Sequence, residues 1–154
     1  LNQEKHKLIA YKTLLPQINS LLEGENDIVA NMANVAAALK SSFDFFWVGF
    51  YRFDGQELVL GPFQGPIACT RIHPSRGVCG KAFRDQKSIV VPNVHAFDDH
   101  IACSPLSKSE IVVPIVKDNN VMMLLDVDSD KDNDFTEVDK EYLELIAKQI
   151  ATLL

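Results

Sequence analysis

FWVGFYRF, residues 46–53, is aromatic and β-branched, and it reads as a central strand. Asp54-Gly55 follows it, a hairpin signal, and ELVL (57–60) is the returning strand. Working outward, GPFQGPIAC (61–69) holds too many Gly and Pro residues to be regular throughout. A short strand within ACTRI comes next, then a short helix opening at Gly77, then the strand SIVVP (88–92). Residues 93–109 show no periodicity and read as a long loop. IVVPIV (111–116) and VMMLLDV (121–127) are strands joined by Asp118-Asn119-Asn120.

Helical patterns bracket these strands. Leu8, Ile9, Leu15, Ile18 and Leu22 recur near helical spacing over 3–22, with Pro16 as a bend or a start and Gly24 as the stop. A second helix runs from Asp27 as N-cap to Leu39, with Ile28, Met32, Val35 and Leu39 on one face. The last begins at Thr136, with Asp139 three residues on as a capping box, and turns Tyr142, Leu145, Ile146, Ile150 and Leu153 inward. Hairpin connections make the sheet mainly antiparallel. The expected class is therefore α+β, with the N- and C-terminal helices on one face of a central sheet and ligand loops on the other.

The chain has 154 residues, the size of one domain spanning 1–154, and is long enough to bury a core without staples. A net charge of −6 argues against a nucleic-acid partner, which needs a basic face. The apolar runs fall short of a membrane span, so no membrane association is expected. The N-terminus LNQEKHK shows no signal-peptide pattern, and three cysteines suit no secreted disulfide framework. Together these point to a reducing, cytoplasmic setting.

The cysteines sit in GPIACTRI (Cys69), RGVCGKA (Cys79) and DHIACSP (Cys103), two of them beside turn residues. Cys103 lies in the long loop near His100, whose imidazolium would favour a thiolate; the alternative is a half-buried loop cysteine. Cys69 is either mobile among its Gly and Pro neighbours or a strand residue filling the core. Cys79 stands near a helix start, where the dipole would lower its pKa, or is a small residue packed between glycines. Asp126 and Asp128 in LLDVDS share one side of a strand by the period of two. They and Glu110 lie at the ends of adjacent hairpin strands. If they meet, repulsion raises at least one pKa and leaves an acid able to hydrogen-bond a ligand; otherwise they are solvated strand ends. Trp47 and Tyr51, four apart, share a face as core or as pocket wall. The spacings C-x9-C and H-x2-C match no closed zinc pattern, so no metal is expected. Thiols with convergent carboxylates suggest redox chemistry on a small molecule.

FWVGFY, LVLGPFQGPIAC, GVCGKA, VHAF, HIAC, SEIVVPI and LDVDS, in that order, closely resemble the free methionine-(R)-sulfoxide reductases, which are single GAF domains. The resemblance covers most of the chain from about residue 20. It implies a GAF-like fold and reduction of free methionine-(R)-sulfoxide through a sulfenic acid and an intramolecular disulfide. It places the catalytic cysteine on Cys103, the resolving one on Cys69 and an auxiliary one on Cys79. Glu110, Asp126 and Asp128 become substrate-holding acids, and Trp47 and Tyr51 pocket aromatics. It further implies no bound cofactor, the thioredoxin/NADPH system as external reductant, and a homodimer. Departures from the family pattern are Ser75, Asp99, Ser104-Pro105 and Asn120-Val121-Met122. The competing reading is a non-catalytic GAF module that binds a small molecule or senses redox state.

Overall fold

The computed structural model describes residues 2–101 and 103–154. The elements are α1 (Gln3–Leu22), α2 (Ile28–Ser42), β1 (Trp47–Phe53), β2 (Leu58–Gln64), β3 (Arg71–Ile72), α3 (Gly77–Asp85), β4 (Ile89–Val91), β5 (Ser109–Lys117), β6 (Asn120–Ser129) and α4 (Glu137–Ala151). A 3-10 turn at Val94–Ala96 interrupts the long loop. The strands form one six-stranded sheet in the order β3-β2-β1-β6-β5-β4, antiparallel at every pairing. This is the expected α+β architecture.

Local chemistry accounts for the element ends. Asn2 and Asp27 cap α1 and α2 by accepting from the amides of Lys5 and Ala30, each at 2.9 Å. Thr136 and Asp139 form the capping box of α4. In the β1–β2 hairpin, Asp54 Oδ1 accepts from the amides of Gln56 and Glu57. Asp118 and Asn119 both take positive φ between β5 and β6, which suits the twist of a two-residue hairpin turn.

Three local readings are corrected. β2 continues through Gly61-Pro62-Phe63-Gln64 instead of ending at Leu60. β3 pairs only with Leu58 and Val59, and on the β1 side the register shifts between Gly49 and Tyr51, so Pro62 sits at an irregularity of the ladder. Pro16 lies inside α1 and does not start it. Ile9 and Leu145 face solvent, at 54% and 41% exposure; the buried rows are instead Lys7, Tyr11, Leu14, Ile18, Leu22 and Asp139, Tyr142, Leu143, Ile146, Ile150.

The pleat sorts side chains onto two faces. Val48, Phe50, Ile111, Val113, Ile115, Leu125 and Val127 point toward α1, α2 and α4 and build the larger core. Trp47, Tyr51, Val112 and Leu124 point the other way, toward α3 and the loops at 65–76 and 92–108. No described helix is long and apolar enough to cross a membrane.

Candidate functional site

A pocket opens on this second face. Its floor is sheet, lined by Trp47, Tyr51, Glu110, Asp126 and Asp128; its sides are Gly77, Val78 and Cys79 of α3; its rim carries Ile67, Ala68, His100, Ile101, Cys103, Ser104 and Ser107. All eight residues expected to form a site therefore converge, with Cys69 joined to Cys103 at the rim.

Register brings the carboxylates together. Glu110 stands directly across from Asp128, and Val112 across from Asp126, so the three acids share one patch of the floor. On the other side of β6, Trp47 pairs with Asp128 and Gly49 with Asp126. A Cβ on Gly49 would lie 2.5 Å from the Trp47 ring, so glycine is what lets the indole lie down across β1. Phe63 stacks on the indole at 5.2 Å, reaching it from the extension of β2.

Two rim loops carry the disulfide. Cys69 and Cys103 are bonded with Cα atoms 5.5 Å apart, within the ordinary span of such bridges, and both are partly exposed. This is the pairing that the resemblance implies. The Cys69 loop is tied to the sheet by the two aromatics: Trp47 Nε1 donates to the Pro66 carbonyl at 3.1 Å, and the Tyr51 hydroxyl to the Cys69 carbonyl at 2.8 Å. Burial and the nearby acids push the Tyr51 pKa up, so its hydroxyl stays a donor. The Cys103 loop is tied to α3 by Asp99, which accepts from the Gly77 amide at 3.1 Å and from Arg76 Nε at 3.0 Å. These bonds, the Gly77 amide first, hold the Asp99 carboxyl below its usual range. Gly77 has φ +70, a left-handed conformation that favours glycine, and Ile101 packs against it.

The acids are held in an unfavourable setting. Burial, then Asp126 and Asp128, drives the Glu110 pKa well above the usual carboxylate value. Burial, then Asp126, does the same to Asp128, opposed by the Ser107 hydroxyl at 3.3 Å and by Glu110. Asp126 rises from burial against the relief of bonds from Glu110 and Cys79. Burial and the two aspartates beside it thus favour the protonated form of Glu110. Asp126 Oδ1 is buried with no hydrogen-bond partner among the described residues. A buried acceptor left in this state is costly unless a donor arrives.

Two sequence expectations about charge are overturned. Cys79 is buried on α3, its Sγ 3.6 Å from Asp126 Oδ2, and burial plus Asp126, Glu110 and Asp128 push its pKa well up. Three carboxylates outweigh the dipole of a nine-residue helix, so the thiol is neutral. The His100 pKa is lowered, by burial and by His95, so at neutral pH it is an uncharged imidazole and supplies no positive field for Cys103. Lys108 is exposed and off the pocket lining, whereas Ser104 and Ser107 line it. The contacts of Asp99 and Phe63 escaped sequence reasoning. Asp99 stands where the family pattern has glycine, and that departure was the signal for it.

Cys79, Glu110 and Asp126 bring ligand atoms within 4.8 Å of one another. Such a set suits a cationic group, whether an ammonium or a metal ion.

A GAF domain profile matches residues 23–154. GAF domain-containing protein A of Dictyostelium discoideum is 61% identical, over 90% of this chain and 88% of its own length. The free methionine-R-sulfoxide reductase of Escherichia coli is 42% identical, over 94% of this chain and 88% of its own. The crystal structure of the free methionine-R-sulfoxide reductase of Neisseria meningitidis in complex with its substrate superposes with a TM-score of 0.94 at 51% identity, covering 96% of this chain and 89% of that one. The chain belongs to the GAF domain family and, within it, to the free methionine-R-sulfoxide reductases.

Proposed function

We propose that this protein reduces free methionine-(R)-sulfoxide to methionine. The observation that carries the reading is a Cys69–Cys103 bridge at the rim of a pocket floored by Glu110, Asp126 and Asp128. The bridge is the oxidised end of a two-thiol cycle. The floor supplies what a free amino acid sulfoxide needs: acceptors for an ammonium, with the unpartnered Asp126 Oδ1 among them, and a carboxylic acid on Glu110.

In the reduced protein the Cys103 thiolate attacks the sulfoxide sulfur. Glu110 gives its proton to the sulfoxide oxygen, and the S–O bond breaks as the hydroxyl passes to Cys103 Sγ. The transient bond between the two sulfurs breaks with its electron pair returning to the substrate sulfur, and a sulfenic acid and methionine result; solvent then reprotonates Glu110. A hydrogen bond from protonated Glu110 to the sulfoxide oxygen stabilises the charge that grows there. The Cys69 thiol then attacks the sulfenic sulfur, the S–S bond forms, and the oxygen departs as water. Two electrons from a dithiol reductant, thioredoxin fed by NADPH, restore both thiols. Cys79 takes no electrons; its neutral thiol donates to Asp126 and orients it. Trp47 and Tyr51 wall the pocket and anchor the resolving loop. We further propose one GAF domain over 1–154, a homodimer and a cytoplasmic location.

The test follows NADPH consumption with thioredoxin, thioredoxin reductase and substrate. Turnover is expected with the free R sulfoxide and little with the S epimer or a peptide-bound sulfoxide. Binding without turnover of any sulfoxide would return the chain to the class of ligand-binding GAF modules.

A further inference from the structure

We propose that α1 is a positioning element for the acid floor, acting through Lys7. The inference rests on reading that floor as the sulfoxide site. α1 precedes the residues matched by the GAF profile, and it packs on the opposite face of the sheet from the pocket.

Lys7 is buried at 8% exposure, an unusual place for a lysine. Its Nζ donates to Asp139 Oδ2 at 2.6 Å and to the Asp134 carbonyl, and lies 5.5 Å from the centroid of the Phe135 ring. Tyr11 adds a bond from its hydroxyl to Asp139 Oδ1 at 2.7 Å, and Gln3 one from Nε2 to Asp134 Oδ1, also at 2.7 Å. Asp139 and Asp134 thus receive three side chains from α1, across more than a hundred residues of chain.

Asp134 passes the restraint on. Its Oδ2 accepts from Ser129 Oγ at 2.6 Å, and Ser109 Oγ donates to the Lys131 carbonyl at 2.6 Å in the same turn. Ser109 and Ser129 are a cross-strand pair, and the next pair is Glu110 with Asp128. Alternation sends the serines toward α1 and the acids into the pocket. Repulsion between the acids pushes these strand ends apart, and the charged cluster beneath holds them closed. That keeps water out and keeps the proton on Glu110.

Variants Lys7→Met and Ser129→Ala test this in the sulfoxide assay, with thermal melting alongside. Folded Lys7→Met should raise KM by about 3- to 30-fold, the range for residues that act on a ligand without touching it. The alkaline limb of kcat/KM should move to lower pH, because hydration of a loosened floor lowers the raised Glu110 pKa. Ser129→Ala, which removes one hydroxyl, keeps the fold if Lys7→Met does not, and should shift both readouts the same way. A lower melting temperature with wild-type KM and an unmoved alkaline limb in either folded variant would overturn the proposal and leave α1 a purely stabilising helix. Wild-type protein inactive in the same assay would instead defeat the reading of the site itself.

Discussion

The two faces of the sheet bury charge in opposite ways. Under α1 and α4, Lys7, Asp139, Asp134, Tyr11 and two serines saturate one another. Across the sheet, among the described residues, three carboxylates crowd together with no cation, and one oxygen has no partner. Both patches lie at the same strand ends, one residue apart in register. A satisfied network supports structure, since each member loses water and regains a bond. An unsatisfied one costs stability, and persists where a ligand completes it. The contrast is the physical ground, independent of any relative, for placing the proposed chemistry on the pocket side.

The largest break comes from the rim. Cys103→Ser should abolish sulfoxide reduction while leaving the fold intact, because a hydroxyl is a far weaker nucleophile than a thiolate at neutral pH. Retained turnover, measured by methionine release, would move the nucleophile to another cysteine. Cys69→Ser should release methionine once and then stall with thioredoxin; steady cycling would pass the resolving role to Cys79.

On the floor, Glu110→Gln should lower kcat by about 100-fold or more, the scale of a lost general acid, and yet make the ligand-free protein more stable by about 1 kcal/mol. The sign follows from linkage. The folded-state pKa of Glu110 is raised above its unfolded value. Its contribution is therefore complete below the ordinary carboxylate range and is lost as pH rises through the raised value. Glutamine does not titrate, so the advantage of the variant should widen as pH rises above the ordinary carboxylate range in denaturant unfolding. An advantage that narrows with pH would mean that the floor is not strained.

Lys7→Met should act in the reverse direction on stability. It strips the cation from a buried Asp139 and should cost about 3–5 kcal/mol in the same unfolding experiment. A loss as small as a surface pair gives would erase the difference between the faces. The smallest effect is expected from Tyr51→Phe, about 1 kcal/mol for its bond to the Cys69 carbonyl. Faster disulfide reduction should accompany it as the loop loosens.

Much of this was legible beforehand because it depends on local chemistry. The caps at Asp27 and Thr136, the Asp54-Gly55 turn and the strands at 46–53, 111–116 and 121–127 follow from rotamer, turn and burial preferences within a few residues. The period of two places Asp126 and Asp128 on one side of β6 whatever the partners are. The cysteine pairing came from resemblance, and the bridge agrees with it.

Fields and second partners were not legible. The helix dipole at Cys79 and the imidazole at His100 are sequence-local arguments; the first lost to burial beside acids distant in the chain, the second to burial and to His95. Ile9 and Leu145 fit a loose helical spacing, but which stripe of α1 and α4 is buried depends on the sheet beneath. Nothing near Lys7 announces that it meets Asp139, because that contact exists only after α1 and α4 pack on the same face. The chain by itself determined which thiols and carboxylates are available for the proposed chemistry and which side of a strand each carboxylate takes, since both follow from bonding within a few residues. Only the tertiary structure decided their protonation and their pairing, since desolvation and charge act through space between segments that the sequence keeps far apart.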